Sequence, residues 1–124
     1  MQGTIKSFTD LNTWKEGHKL VLMIYKATRT WPADEKFGLI NQVQRAAVSI
    51  TSNIAEGFSR RYGKEKIQFY HIALGSLTEV QNQLLLARGL GYVDQTRFSE
   101  AAAQTVVVSK LINGLIKGVR SLDT

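Results

Sequence analysis

Glycine and proline divide this chain into four segments, and each segment has the apolar periodicity of a helix. The chain has one proline, Pro32, and the glycines at the other divisions are Gly57, Gly63, Gly89 and Gly91. These two residue types interrupt regular secondary structure more often than any others. Nowhere do polar and apolar residues alternate for long with a period of two, so the pattern predicts helices rather than strands.

The segments predict four helices of about 20 to 27 residues, over residues 11–31, 34–58, 63–88 and 94–120. Long helices joined by short links pack against neighbours that run in the opposite direction. We therefore predict an all-α fold, an antiparallel up-down-up-down four-helix bundle, formed by a single domain that spans residues 1–124.

Residues spaced three and four apart predict the inward faces of three of these helices. In the first helix they are Leu11, Trp14, His18, Val21, Tyr25 and Thr28, which places His18 in the core as a hydrogen-bonded residue. In the second helix they are Leu39, Val43, Ala47, Ile50 and Ile54. In the fourth helix they are Phe98, Ala102, Thr105, Ile112, Ile116 and Val119.

The third helix has apolar residues on more than one face. They are Phe69, Tyr70, Ile72, Leu74, Leu77, Val80, Leu84, Leu85 and Leu86. A helix that is apolar beyond a single stripe needs a second partner. We expect that partner to be another copy of the chain; the alternative is a helix covered on two sides within the monomer.

The charge balance favours acidic partners. Sixteen Lys and Arg against ten Asp and Glu give a net charge of +6. Nucleic acid is the most abundant acidic partner in a cytoplasm, and a charge carried for solubility alone is the alternative. The absence of cysteine excludes disulfides and thiolate metal sites. It suits a reducing cytoplasm, where we place the protein, and the start MQGTIKSFTD predicts no signal peptide.

The sequence has none of the common catalytic or cofactor motifs. Its two histidines, His18 and His71, lack the glutamate three residues earlier that a di-iron bundle requires. No strand-turn-helix element is present to expose a serine nucleophile, and GLGY (89–92) lacks the Lys-Ser/Thr of a phosphate-binding loop. We therefore predict no enzymatic activity, no catalytic residues, no metal and no cofactor.

Basic residues cluster on the predicted helices and in one link. A helical projection places four of them on one side of the first helix, and the link SRRYGKEK (59–66) has four more around Tyr62. Basic side chains can hold phosphates while a neighbouring ring stacks on a base. The predicted nucleic-acid-binding residues are Lys15, Lys19, Lys26, Arg29, Arg60, Arg61, Lys64 and Lys66. Lys110, Lys117 and Arg120 cluster on the fourth helix; ordinary solvated faces are the alternative for all the helical clusters.

One face of the second helix consists of small polar residues between two charges. Arg45, Ser49, Ser52 and Glu56 lie opposite the apolar stripe, with Asn53 beside them. Small side chains allow another backbone to approach closely, and an Arg–Glu pair can satisfy charges that are removed from water. We predict a packed or intersubunit face here; an exposed face that is short of lysine is the alternative.

Several collinear motifs together resemble one protein family. They are FTDLNTW (8–14), IYKAT (24–28), WPADEKFGL (31–39), QRAAVSITSNIAEG (44–57), IALGSLTEVQNQLLLARGLGY (72–92) and LINGLI (111–116). They resemble the small four-helix-bundle family first named for 23S rRNA intervening sequences. That family includes the accessory variability proteins of diversity-generating retroelements.

The resemblance implies a bacterial, non-enzymatic bundle that forms homopentameric rings with basic surfaces, and whose retroelement branch binds RNA or DNA and partners a reverse transcriptase. Gln44 and Thr51 depart from the family pattern, where a basic residue and a proline are usual. The matching positions include Arg45, Ser52, Asn53, Glu56, Gly57, Gly75, Ser76 and Glu79. We interpret Arg45, Glu56 and Glu79 as charges that fix register within or between subunits.

Two functions follow from these patterns. The first is an oligomeric accessory protein that binds nucleic acid through its basic side chains. The second is a protein-interaction scaffold, a ring with no direct role in nucleic-acid binding.

Overall fold

The computed structural model describes residues 4–122 and contains, within them, four α-helices and no strand. Helix α1 spans Asn12–Thr28, α2 spans Leu39–Ser59, α3 spans Gly63–Gly89 and α4 spans Gln95–Leu122. Short 3₁₀ turns at Phe8–Asp10 and Ala33–Glu35 precede α1 and α2. The prediction of an all-α fold with four helices is confirmed.

The link between α1 and α2 is longer than predicted. Helix α2 begins at Leu39 rather than at Asp34 because residues 33–35 form a separate turn. The carboxylate of Glu35 then accepts a hydrogen bond from the backbone N–H of Leu39 at 3.1 Å. Glu35 thus satisfies one of the free N–H groups at the start of α2 from outside the helix.

Each helix packs mainly against two others, so the four surround one core. Helix α1 packs on α2 and α4, and α3 packs on the same two helices. Gly17 contacts Thr51 where α1 meets α2. The largest fully buried apolar side chains come from all four helices: Leu20, Ile24, Ile50, Ile54, Leu84 and Ile112.

The buried face of α1 differs from the predicted one. His18 and Tyr25 are exposed, and Trp14 and Val21 are half-buried. The buried residues are Thr13, Gly17, Leu20, Ile24, Ala27 and Thr28. The prediction of His18 as a core residue is therefore wrong: the helix turns small residues inward where α2 approaches, and a Cβ on Gly17 would lie 3.1 Å from Thr51 Cγ2.

The inward faces of α2 and α4 agree better with prediction. All five residues predicted for α2 are buried. In α4, Phe98, Thr105, Ile112 and Ile116 are buried, whereas Ala102 and Val119 are half-buried.

Helix α3 has more apolar residues than its two neighbours cover. Four of them are buried: Tyr70, Leu77, Val80 and Leu84. Three are exposed, Ile72, Leu85 and Leu86, and half of the surface of Leu85 and of Leu86 is accessible to solvent. The outer side of α3 is therefore partly apolar in a single chain. No helix within residues 4–122 has the length and apolar character that crossing a membrane requires.

Candidate nucleic-acid interface

A row of basic side chains runs along the outer side of α1. Lys15, Lys19, Lys26 and Arg29 are all exposed. At 100° per residue they fall within about 80° of one another, opposite the buried face of the helix. We call these four residues the α1 row. The four side chains of the α1 row are therefore directed into solvent, away from the core.

Helix contacts bring the start of α1, the end of α2, the start of α3 and the end of α4 close together. The Thr13 hydroxyl donates to the carbonyl of Leu111 at 3.5 Å, which joins α1 to α4. Tyr70 lies against Gly57, which joins α3 to α2. The 3₁₀ turn that precedes α1 also packs on α2. We call this part of the fold, residues 4–20, 50–75 and 106–122, the basic end.

The positive charge is concentrated at the basic end. Ten of the sixteen Lys and Arg lie there, with four Asp and Glu. The remaining described residues, 21–49 and 76–105, have six basic and five acidic side chains. Nearly all of the net charge of the described chain is therefore at one end.

Two of the four acids at the basic end have other partners. Asp10 Oδ2 accepts hydrogen bonds from the backbone N–H groups of Lys6, at 2.9 Å, and Ser7, at 3.0 Å. These bonds hold the pKa of Asp10 below its ordinary value. Glu16 accepts from the Gln104 amide, through its carbonyl at 2.8 Å and its side chain at 3.1 Å. These two acids therefore have structural hydrogen bonds, and neither forms an ion pair with a lysine within 4 Å in the described residues.

The third acid, Glu56, forms the one ion pair within the part of the chain that the structure describes, with Arg60 at 3.2 Å. The Arg60 guanidinium also lies 4.6 Å from the centre of the Phe69 ring. Arg60 is half-buried between these two contacts. Its side chain therefore fixes the end of α2 against α3, and only part of it faces solvent.

Lys66 has a structural position that the sequence pattern did not indicate. Its ammonium donates to the carbonyl of Phe58 at 2.7 Å and to that of Gly57 at 3.3 Å. Partial burial lowers the pKa of the ammonium. Carbonyls at the end of a helix lack partners within it, and Lys66 supplies one to α2. Two of the three donors of Lys66 therefore hold the end of α2, and its role as a phosphate contact stays a prediction.

Arg61 and Lys64 remain free at the basic end. Both are exposed, and among residues 4–122 neither has a carboxylate within 4 Å. Arg61 lies 5.7 Å from the centre of the Tyr62 ring, which is 61% exposed. Lys110, Lys117 and Arg120 of α4 are exposed in the same end of the fold. The link thus presents two cations and a ring to solvent.

The small polar face of α2 is divided between packing and solvent. Ser49 Oγ lies 2.8 Å from Ser76 Oγ of α3, and the Asn53 amide donates to Ser49 Oγ at 3.1 Å. Ser49 and Asn53 thus belong to the contact of α2 with α3. Ser52 is exposed. The partner Ser76 was not identified from the sequence, although its spacing from the buried Ala73 and Val80 places it on the inner side of α3.

An open groove of about 540 Å³ lies between α2 and α3. Its lining residues are Asn41, Gln42, Arg45, Ala46, Ser49, Ser76, Glu79 and Gln83. Arg45 and Glu79 are exposed, and neither forms an ion pair within residues 4–122. Gln83 Oε1 is buried without a hydrogen-bond partner in the described chain. The groove therefore contains opposite charges that the single chain leaves unpaired.

Arg45 and Glu56 do not pair with each other in the chain. Glu56 pairs with Arg60, and the difference of eleven positions places Arg45 and Glu56 about 16 Å apart along the helix. Arg45 and Glu56 therefore cannot fix the register by pairing with each other within one subunit. Within residues 4–122 no three His, Cys, Asp or Glu side chains form a group that could hold a metal ion.

Comparisons with known proteins give one similar fold and one matching family. No curated protein matches the chain in sequence. The fold is similar to the crystal structure of a protein with unknown function from the S23 ribosomal protein family of Bacteroides thetaiotaomicron VPI-5482. The two have 21% sequence identity and a TM-score of 0.76 over 85% of this chain and 98% of that one. The model of the 23S rRNA-intervening sequence protein matches residues 9–114, and the chain therefore belongs to the 23S rRNA-intervening sequence protein family.

Proposed function

We propose that this protein is a non-enzymatic, oligomeric accessory protein that binds RNA or DNA phosphates through the basic end and the α1 row. The observation that carries the proposal is the concentration of exposed, unpaired cations at one end of the fold. Lys15, Lys19, Arg61 and Lys64 are its principal phosphate contacts, and Lys26 and Arg29 extend them along α1. Arg60 contributes less, because Glu56 and Phe69 already hold it.

Electrostatic reasoning supports this proposal. Phosphate contacts supply most of the affinity of proteins that bind nucleic acid without sequence preference. A lysine that has a carboxylate partner within the protein gains little from a phosphate, because it must give up the first contact. The acids Asp10, Glu16 and Glu56 are occupied elsewhere. Glu65, the fourth acid, forms no ion pair within residues 4–122. The ten basic side chains of this end therefore outnumber its four acids, and most of them have no carboxylate within 4 Å that a phosphate would have to replace.

We propose that the helices run up-down-up-down and that the subunits form a homopentamer, the number five resting on the family resemblance. The contacts of Gly17 with Thr51, Gly57 with Tyr70 and Gln81 with Thr105 support antiparallel neighbours. Exposed Ile72 and Leu86 on α3 support self-association. We also propose a cytoplasmic location and, from the resemblance, a reverse transcriptase as protein partner.

The subunit contact that we propose uses the groove between α2 and α3. Arg45 and Glu79 have opposite charges and no ion-pair partner within residues 4–122. Arg45 of one subunit can therefore pair with Glu79 of its neighbour. Ser52, exposed beside them, is small enough to let a neighbouring backbone approach. This assembly would repeat the α1 row and the basic end around a ring, which raises the affinity for a long polyanion through multivalency.

A pair of charge-reversal variants tests the nucleic-acid role. Arg61→Glu with Lys64→Glu changes the basic end, and Lys36→Glu with Arg97→Glu makes the same change in net charge at exposed sites outside it. Binding of a fluorescently labelled RNA or DNA oligonucleotide is measured at low salt by anisotropy. We expect the first variant to weaken binding by about tenfold or more and the second by much less. Equal effects of the two variants, or no binding by the unchanged protein, would contradict the proposal.

The apolar outer side of α3 favours a second function, a protein-interaction scaffold without a nucleic-acid role. A scaffold would bind its partner protein through exposed apolar residues such as Ile72 and Leu86, with the basic charge incidental. Charge reversal of Arg61 and Lys64 together separates the two functions, because neither side chain has a carboxylate partner within residues 4–122. A scaffold keeps its protein partner in that variant, whereas a nucleic-acid-binding protein loses its ligand.

A further inference from the structure

A stack of aromatic rings begins at the 3₁₀ turn and ends on the exposed side of α1. The ring of Phe8 meets Trp14 edge to face, with centroids 5.4 Å apart. The rings of Trp14 and His18 are nearly parallel, at 15°, with centroids 4.8 Å apart. Trp14 is half-buried and His18 is exposed. The stack therefore starts on the protein body and ends with an imidazole in solvent.

The rings lie beside the α1 row. Lys15 follows Trp14 in the chain and Lys19 follows His18, so each of these rings has an ammonium about 100° around the helix. Tyr25 is also exposed, and it lies on the same side as His18, followed by Lys26. Two parallel rows, one of rings and one of cations, thus run about 16 Å along the outer side of α1.

His18 has no visible role in holding the fold together. Within residues 4–122 its imidazole makes no hydrogen bond, and its one ring contact is with Trp14. The residues that bury the inner side of α1 are its neighbours Gly17 and Leu20. An exposed imidazole stacked on a tryptophan has one contact with the protein and is otherwise open to a ligand.

We infer that the α1 row binds single-stranded nucleic acid, with bases stacked on His18 and Tyr25 and phosphates held by Lys15, Lys19 and Lys26. The inference rests on the proposed function and names the form of nucleic acid that α1 selects. Bases in a duplex stack on one another and offer only their edges, whereas an unpaired base can place its face on an aromatic ring. Lysines alone would not distinguish the two forms, because both carry phosphates.

The two histidines supply a matched pair of variants. His71 is exposed on α3, within the basic end but outside the α1 row and the proposed phosphate contacts, and no aromatic ring of the described chain stacks on it. His18→Ala removes the end of the stack, His71→Ala removes the same side chain elsewhere, and His18→Phe restores a ring. Each protein is titrated by anisotropy against a labelled unstructured RNA oligonucleotide and a duplex of the same length. Thermal unfolding by circular dichroism shows that each variant is folded.

The unchanged protein and His71→Ala are expected to bind the single strand more tightly than the duplex. His18→Ala is expected to lose about fivefold or more in affinity for the single strand with little change for the duplex, and His18→Phe to recover most of it. Equal binding of both forms by the unchanged protein, or equal losses for both forms in His18→Ala, would overturn this inference and leave the proposed function standing. Binding of neither form at low salt would overturn both.

Discussion

Tyr70 of α3 packs directly on the backbone of Gly57 of α2. A Cβ added to Gly57 would lie 2.5 Å from Cε1 of the Tyr70 ring and 3.2 Å from the carbonyl oxygen of Lys66. Both neighbours belong to the same helix, and Tyr70 is buried. Glycine at this position therefore sets how closely α2 and α3 approach near the link that carries Arg61 and Lys64.

This contact predicts that Gly57→Ala destabilises the protein. Overpacking in a close contact costs about 1–3 kcal/mol, which exceeds the gain of up to about 1 kcal/mol that alanine brings within a helix. We expect a net loss of about 1 kcal/mol in the free energy of unfolding, measured with urea. Gly114→Ala is the control, because its added Cβ would meet nothing within 4 Å beyond the adjacent backbone of its own helix. It should stabilise the helix, and a similar loss in both variants would argue against the packing explanation.

Lys64 and Lys66 are predicted to have separable roles. Lys66→Met removes an ammonium that two carbonyls accept, so we expect it to lower the free energy of unfolding by about 1 kcal/mol. Lys64→Met, at an exposed position, should leave stability nearly unchanged and weaken oligonucleotide binding instead. Urea unfolding and anisotropy titrations on both variants check this, and a loss of stability in Lys64→Met equal to that in Lys66→Met would show the distinction to be wrong.

The lowered pKa of Asp10 predicts that the folded protein loses stability in acid. The hydrogen bonds from Lys6 and Ser7 favour its ionised form and lower its pKa in the folded state. Its contribution is therefore present above the pKa of an unfolded aspartate, about 4, and is lost as the pH falls through the lower folded value. Asp10→Asn should be less stable than the unchanged protein at neutral pH, and the difference should narrow below about pH 4. A difference that stays constant with pH would contradict this explanation.

The unpaired charges of the groove predict how assembly responds to substitution. Arg45→Glu and Glu79→Arg should each weaken the proposed contact between subunits, whereas the two together restore it with the signs exchanged. Ser52→Lys should also weaken it, because a long charged side chain replaces a small one. The mass in solution, measured by light scattering, checks all four variants. If the assembly survives in all three variants that have one substitution, this face is exposed to solvent and forms no contact between subunits.

The helix period predicted the buried face of α2 correctly and that of α1 only in part. The inward residues of α2, from Leu39 to Ile54, are buried as their spacing predicts. The same method placed most of the α1 stripe wrongly, because it gave weight to the large rings of Trp14 and Tyr25; of the predicted residues, Leu11 and Thr28 are buried. The structure buries Gly17 instead, since a close approach of α2 depends on how little space a residue occupies, and hydrophobicity does not measure this.

The sequence predicted which basic residues the candidate site contains. It did not predict which of them are held by contacts within the fold. Nothing in SRRYGKEK separates Arg61 and Lys64, which are free, from Arg60 and Lys66, which hold the ends of helices. The difference arises from Phe69 and from carbonyls at the end of α2, which only the packing of α2 on α3 brings into reach. The stacking of His18 on Trp14 was not predicted either, because the predicted inward face of α1 placed both rings in the core.

The dependence of oligonucleotide affinity on salt tests the central claim most directly. Four phosphate contacts, at Lys15, Lys19, Arg61 and Lys64, predict that log K falls against log salt with a slope of about −3 for a single strand. Arg61→Glu with Lys64→Glu should reduce that slope by about half. A steep slope that becomes shallow in the variant is the result we expect; a slope near zero in the unchanged protein, or no binding at low salt, would contradict the assignment of the basic end to nucleic acid.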